Sequence, residues 1–206
     1  MQKNLRELSG LPLITRAIRK CVAVGLFDEI WVNSEHPQFG EIAAAEGVNF
    51  HLRPVELGNE KATSEQYIAE FLEKHPCECL VQVHSIAPLL TAREVEQFVM
   101  ALDSGDYDCL LSVELIQIEC AYRDNPINFS YAEKTNSQDL DPVQRVCWSI
   151  SAWRRETFLA AVATGKCATY SGRIGYHPVS RLAGHVIKTE EDLKIAEALL
   201  PLVSDY

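Results

Sequence analysis

The stretch from residue 79 to residue 113, CLVQVHSIAPLLTAREVEQFVMALDSGDYDCLLSV, decides the fold. Cys79 to His84 and Cys109 to Val113 are short β-rich runs, and between them Thr91 with Glu94 forms a capping box that opens a helix to about Leu102. A strand, a helix and a second strand of these lengths make a unit whose strands run parallel and whose helix crosses one face of the sheet.

The same rhythm extends outward in both directions. Toward the N-terminus, Leu13, Ile14, Ala17, Ile18, Cys21 and Val22 recur at helical spacing and Gly25 stops the helix. Glu29 to Asn33 reads as a strand, Phe39 to Glu46 as a helix ending at Gly47, Val48 to Leu52 as a strand, and Thr63 to Lys74 as a helix. Toward the C-terminus the rhythm breaks. Ile116 to Arg123 and Asn128 to Ala132 read as short strands around Asp124, Asn125 and Pro126, with no helix between them. Arg145 to Trp153 is then a partly alternating strand, Arg155 to Ala163 a helix closed by Gly165, and Thr189 caps a last helix through Leu200 with Asp192 in its first turn. The expected architecture is α/β, a three-layer, doubly wound, mostly parallel sheet with an inserted β-arm at about residues 116–144.

With 206 residues, 47% hydrophobic and 23% charged, the chain suits one soluble core, and no repeat or linker divides it. A formal charge of −10 opposes the phosphate neutralisation on which nucleic-acid binding depends. Apolar runs such as Cys109 to Val113 and Ala196 to Leu202 fall far short of the ~20 residues of a membrane span, and the N-terminus is polar, so a cytoplasmic location is expected. The seven cysteines are odd in number and mostly flanked by apolar residues, the pattern of buried free thiols. Cys77 and Cys79 lack a second pair at zinc spacing and read as a strand entry.

One feature departs from a complete doubly wound sheet. Such a sheet normally begins with a central apolar strand and a phosphate-binding turn, whereas these residues open on a polar segment and a helix. Either the start is misplaced or truncated, or this variant lacks its nucleotide loop; if the missing strand is central, buried strand edges at 29–33 and 79–84 are left without partners.

Ligands of open α/β sheets sit beyond the carboxyl ends of the strands, which selects the candidates. Lys3 and Asn4, with Arg6, precede the first helix and either meet phosphate or form a solvated terminus. Arg53 follows a strand and is fixed by Pro54, which suits an anion contact or a surface position. His84 ends a strand and leads into Ser85-Ile86-Ala87-Pro88, where a base or ribose would be read, and Gln82 shares its sheet face; a structural imidazole is the alternative. Asn136-Ser137-Gln138-Asp139 is a binding loop or an ordinary turn. Serine-hydrolase, zinc-protease and P-loop signatures do not occur.

Three ordered segments resemble the acylneuraminate cytidylyltransferase family, whose members activate sialic acid and related nonulosonates with CTP. Lys3-Asn4-Leu5 with Gly10-Leu11-Pro12-Leu13-Ile14 is similar to K-N-L and G-K-P-L-I. Leu52-Arg53-Pro54-Val55-Glu56-Leu57 with Thr63-Ser64, then Val83-His84-Ser85-Ile86-Ala87-Pro88-Leu89 with Thr91-Ala92, is similar to R-P-x-E-L and Q-P-T-S-P-L-x-T-A. Gln138-Asp139-Leu140, Arg154-Arg155-Glu156-Thr157 and Thr189-Glu190-Glu191-Asp192-Leu193 match Q-D-L, R-R-E-T and T-E-E-D-L. The order and spacing agree over nearly the whole chain.

The resemblance implies a nucleotide-diphospho-sugar transferase-like fold, a homodimer joined through the arm, Mg²⁺ as cofactor, and CTP with an acidic sugar as substrates. It places Lys3 and Asn4 at the triphosphate as the catalytic pair, Arg53, His84 and Ser85 at the nucleotide, and Gln138 at the sugar. Two departures qualify this. The family's first strand and A-R-G-G-S-K-G loop fall ahead of Met1, and the metal-binding D-I-D that precedes T-E-E-D-L is here Val186-Ile187-Lys188. No metal ligand is therefore expected at that place, and Lys188 is either a stand-in cation or a solvated lysine. His84 also stands where the family has Gln. Two functions follow: a cytidylyltransferase that activates a nonulosonate, or a non-catalytic relative serving as a binding or assembly module.

Overall fold

The computed structural model describes residues 3–59 and 61–203. The chain opens with a 3-10 turn at Lys3–Leu5 and a hairpin of β1 (Glu7–Leu8) and β2 (Leu11–Pro12). Ser9 and Gly10 take φ of 50° and 74° there, the paired positive values of a tight hairpin turn. Helix α1 (Leu13–Val24) buries Leu13, Ala17 and Ile18 on one face and ends where Gly25 enters the left-handed region at φ 66°. Next come β3 (Trp31–Ser34), α2 (Gln38–Ala45) and β4 (Asn49–Leu52), with β3 and β4 parallel. A Cβ on Gly40 would meet the Phe50 ring at 2.8 Å, so glycine lets α2 lie close on β4.

The remaining elements build the main sheet. They are α3 (Ser64–Lys74), β5 (Cys79–Val83), α4 (Ala92–Ser104), β6 (Cys109–Ile116), the two-residue strands β7 (Ala121–Tyr122) and β8 (Asn125–Pro126), β9 (Val143–Arg154), α5 (Arg155–Ala163), β10 (Ile174–Pro178) and α6 (Glu190–Leu199). The sheet order is β10-β6-β9-β5. Strands β5, β6 and β10 run one way, and β9 runs against both of its neighbours. Alternation along β6 sorts the core: Leu110 packs with Val95, Phe98 and Leu102 of α4, while Cys109 and Leu111 pack with Ile68 and Leu72 of α3 and Phe158 of α5. This gives the three expected layers, with a mostly parallel sheet in the middle.

Strand β9 serves two partners, pairing with β6 along its length and with β5 at its C-terminal half. The change of register falls between Leu111 and Val113, where Trp148 adopts φ 56°. Ser112 Oγ accepts hydrogen bonds from the amides of Ser149 and Ile150, each at 3.2 Å, which satisfies backbone donors that the irregularity takes out of the ladder.

The arm differs from the reading of the sequence. Ile116 to Arg123 is not one strand and Asn128 to Ala132 is not a strand. A small hairpin pairs Ala121–Tyr122 with Asn125–Pro126, and Arg123 and Asp124 form its turn at φ 49° and 62°. The Asn128 side chain explains the difference, because it donates to the Ile118 and Asp141 carbonyls and accepts from the Cys120 amide, fixing an irregular loop instead of a ladder. All seven cysteines are free thiols, yet Cys109 and Cys147 alone are buried; Cys77 and Cys167 are exposed. Among the described residues, no helix is long and apolar enough to cross a membrane.

The strands fall into separate sheets. Among the described residues β3 pairs with β4 only and β5 pairs with β9 only, so the small sheet and the main sheet face one another with open edges.

Candidate active site

A cavity of about 900 Å³ lies between those two edges. Asn33 and Ser34 end β3, Arg53 follows β4, and His84 and Ser85 follow β5; all five line the cavity, and Asn4 joins them from the N-terminal turn. The polar ends of three strands and the segment that leads into α1 thus converge at the carboxyl side of the sheet. Asn4, Arg53, His84 and Ser85 are brought together as the sequence suggested. The side chain of Lys3 lies outside the described part of the structure. Gln138 is exposed in the arm, where its carbonyl accepts from the Gln117 side chain at 3.0 Å, and it does not line this cavity.

His84 is held by its amide, which donates to the Ser149 carbonyl at 3.0 Å. Its Nε2 is buried without a hydrogen-bond partner among the described residues, as is Asn33 Oδ1. Burial pushes the His84 pKa down to about 4, so the imidazole is neutral at pH 7 and one ring nitrogen keeps a lone pair. The Asn33 amide oxygen is an acceptor in need of an N–H or O–H donor, and His84 Nε2 donates or accepts according to its tautomer.

Arg53 is not a free cation. Its Nε donates to Glu35 Oε2 at 3.0 Å, and its guanidinium lies 4.8 Å from the centre of the Tyr67 ring. Burial works to raise the Glu35 carboxyl, but its own backbone hydrogen bond and the Arg53 guanidinium prevail and hold it below its ordinary range. Gln82 reaches the same ring, donating to the Tyr67 hydroxyl at 3.4 Å. Arg6 is ion-paired with Glu190 of α6 and donates to the Thr189 carbonyl at 3.4 Å.

Asn33 and Glu35 were missed in the sequence, although the signal was there. The rule that selects residues just past strand ends reaches Asn33-Ser34-Glu35 as directly as it reaches Arg53 and His84.

The segment Val186-Ile187-Lys188 runs beside the site. The Ile187 amide donates to the Ile86 carbonyl at 2.8 Å, and the buried Ile187 packs with Leu8, Leu13 and Ala196. The nearest aspartate downstream in sequence, Asp192, has Oδ2 taken by the amides of Lys188 and Thr189 and by the Thr189 hydroxyl, at 2.8–2.9 Å. Among the described residues no three His, Cys, Asp or Glu side chains form a group that could hold a metal ion. Val186, Ile187 and Lys188 themselves offer no side-chain oxygen to Mg²⁺, which is usually held by one or two carboxylates with substrate phosphates and waters.

Comparison with known proteins places this arrangement. N-acylneuraminate cytidylyltransferase A of Danio rerio is 29% identical over 112 residues, 54% of this chain and 26% of that protein. N-acylneuraminate cytidylyltransferase of Oncorhynchus mykiss is 23% identical over 177 residues, 82% of this chain and 41% of that protein. The chain spans less than half the length of these curated relatives. The solved structure of CMP:2-keto-3-deoxy-manno-octonic acid synthetase complexed with CTP has a TM-score of 0.70 at 16% identity, covering 97% of this chain and 92% of that one, a likeness of fold. A family model described as cytidylyltransferase matches residues 1–149, the stretch that runs from the N-terminal turn through the carboxyl ends of β3, β4 and β5 and into β9, and the chain therefore belongs to the cytidylyltransferase family.

Proposed function

We propose that this chain carries the nucleotide-binding core of a CTP-dependent nucleotidyltransferase that activates a sialic-acid-like nonulosonate. In that reaction the anomeric hydroxyl oxygen of the sugar acid bonds to the α-phosphorus of CTP. The α–β P–O bond breaks with its electron pair leaving on pyrophosphate, and the hydroxyl proton passes to solvent. The observation that carries this reading is the convergence of Asn4, Asn33, Arg53, His84 and Ser85 on one cavity at the carboxyl ends of the strands. Asn33 Oδ1 and the neutral His84 ring are matched to N–H and O–H donors such as the cytosine amino group and the ribose hydroxyls. Arg53, already turned toward the cavity on Tyr67, is the cation for the triphosphate, and binding would draw it from Glu35.

Lys3 and Gln138 keep their proposed roles at the triphosphate and the sugar. No step is assigned to Mg²⁺, because Val186, Ile187 and Lys188 offer it no side-chain oxygen. The arm exposes Ile118, Tyr122, Ile127 and Tyr131, an apolar surface suited to a homodimer contact. Sedimentation at tens of micromolar tests that contact, and a monomer with the arm intact would exclude it.

A second reading, a binding or assembly module without turnover, draws on the Arg53–Glu35 pair and the capped Asp192, which leave little unspent charge for a phosphoryl transition state. Calorimetry with CTP and pyrophosphate release across a panel of sugar acids separate the two. CTP binding that weakens about tenfold in His84→Leu and in Arg53→Met, with pyrophosphate release, supports the enzyme. Binding without release supports the module, and no CTP binding overturns both.

A further inference from the structure

Strand β4 is tied to α3 at two points. Arg53 continues the β4 ladder, its amide donating to the Ser34 carbonyl at 3.2 Å, so His51 and Arg53 project to the same side of the strand. Tyr67 and Glu70 stand on one face of α3 at i, i+3. At the cavity the Arg53 guanidinium lies 4.8 Å from the centre of the Tyr67 ring. One strand period away, His51 is 6% exposed, with Nε2 2.7 Å from Glu70 Oε2 and Nδ1 2.9 Å from Nε2 of His75, the residue that closes α3. The His75 ring packs on Trp31 of β3 and on Phe71 at centroid separations of 4.2 and 4.5 Å. The charged groups around this chain of side chains are Glu70, ion-paired with Lys74, and Glu29 ahead of β3, which accepts from Trp31 Nε1 at 2.8 Å. Burial works to raise the Glu70 carboxyl, but Lys74 and His51 prevail and hold it below its ordinary range. Burial, and then the facing His51 ring, hold the His75 pKa below its ordinary value.

Proton counting gives this chain a direction. An ionised carboxylate only accepts, so His51 Nε2 carries a proton; the neutral ring then has its lone pair on Nδ1, and His75 Nε2 must donate to it. One added proton keeps both bonds, because it settles on His75 Nδ1 and the imidazolium still donates through Nε2. A second proton added to the rings has only His51 Nδ1 to take it, and two N–H groups of like-charged rings then face each other across 2.9 Å. We propose that His51 is a positioning residue for Arg53, and that the His51–His75 pair makes it a proton-operated clasp. With at most one added proton the pair holds β4 against α3 and Arg53 on Tyr67; a second added proton releases both. Acidification through the histidine range is the signal, and the cation at the cavity is what it moves. That consequence rests on the reading of Arg53 at the nucleotide; the clasp itself does not.

The test is NMR of the isotope-labelled chain, without nucleotide, from about pH 8 to about pH 5. At the alkaline end both rings should be Nε2–H tautomers. On acidification they should take up protons in two separated steps, because each ring's titration depends on the other. The Arg53 Nε–H signal, displaced by the Tyr67 ring current, should hold its position through the first step and lose that displacement in the second. His75→Gln is the control: its amide still donates to His51 Nδ1 but takes no proton, so the Arg53 transition should vanish while His84, present in both proteins, titrates as before. His51→Phe should abolish the ring-current displacement of Arg53 at every pH. If that variant does not fold, the His75→Gln comparison decides alone. Independent titration of the two rings with a stationary Arg53 signal, or an Arg53 transition that persists in His75→Gln, would overturn the proposal. None of these readouts uses CTP, so failure here leaves the nucleotide reading standing, and a chain whose clasp titrates as described but which binds no CTP would fail that reading alone.

Discussion

Strands β5 and β6 begin with almost the same residues, Cys-Leu-Val-Gln-Val and Cys-Leu-Leu-Ser-Val, yet they live in different surroundings. From Cys109 to Val113 no residue of β6 is more than 1% exposed, whereas every residue of β5 is half-buried. Composition does not separate them; pairing does. Strand β6 has β10 on one edge and β9 on the other, while β5 has β9 alone and opens onto the cavity. The burial of an apolar strand in this fold is set by its neighbours, and the cavity lies on the side of β5 that has no partner strand among the described residues.

Truncation tests that contrast most strongly. Leu111→Ala removes a fully buried side chain packed between α3 and α5 and should cost about 3 kcal/mol or more. Leu80→Ala, in a half-buried position on the open strand, should cost about 1 kcal/mol. Urea midpoints measure both. Equal losses would mean that β5 is as well covered in solution as β6.

The next effect is pH dependence at the polar end of the open side. The folded His84 pKa of about 4 lies below the unfolded value near 6.5, so the unfolded state binds the extra proton first. Stability from this group is complete above pH 6.5 and falls as pH drops toward 4, by about 3 kcal/mol in all. His84→Gln should flatten that part of the stability profile. A profile unchanged by the substitution would show that the imidazole is solvated.

How far the sequence reveals this molecule follows the same division. Elements with local signals were legible: the helix from Thr63, the capping box at Thr91, the cap at Thr189, the left-handed stop at Gly25, and the helix of α5 all form where their residues ask for them. Direction was not, because nothing in Val143–Arg154 says that it must run against β5 and β6; that is decided by partners far away in sequence. Strand β10 went unread because Gly175 and Pro178 break a strand pattern and are tolerated at the edge it occupies. In the site, His84 and Arg53 were readable from strand ends, but the pairing of Arg53 with Glu35 and the cover of Tyr67 are tertiary facts.

A buried charge gives a smaller and opposite effect. Lys20 of α1 is 8% exposed, and its Nζ donates to the Pro88 carbonyl at 3.4 Å. Burial lowers its pKa to about 8, so at pH 7 the protein carries an ammonium that it holds at a cost. Lys20→Met keeps the length and removes the charge, and the lost hydrogen bond offsets part of the gain. The variant should be more stable by about 1–2 kcal/mol at pH 7. The advantage should shrink as pH rises from about 8 toward 10.5, where the unfolded lysine still holds its proton and the folded one has lost it. Destabilisation at pH 7 would mean that the Pro88 contact outweighs desolvation.

The smallest effect compares two helix caps, one in the sealed region and one beside the site. Thr91 caps α4, accepting from the Glu94 amide at 3.1 Å, while Glu94 accepts from the Thr91 amide and reaches across to the Ser180 amide at 2.8 Å. Thr189 caps α6 in the same manner with Asp192, whose other bond goes to the Lys188 amide. Thr91→Ala should cost about 1–2 kcal/mol, because it also loosens the carboxylate that ties α4 to the segment after β10. Thr189→Ala should cost less overall, since Thr189 and its neighbours in the cap are solvated. Its consequence should be local: faster exchange of the Lys188 and Ile187 amides, and through the Ile187 bond to the Ile86 carbonyl, a looser loop after His84. A Thr189→Ala variant that weakens CTP binding while its urea midpoint barely moves would tie this cap to the site. If Thr91→Ala weakened binding just as much, the helix caps would be serving the fold as a whole.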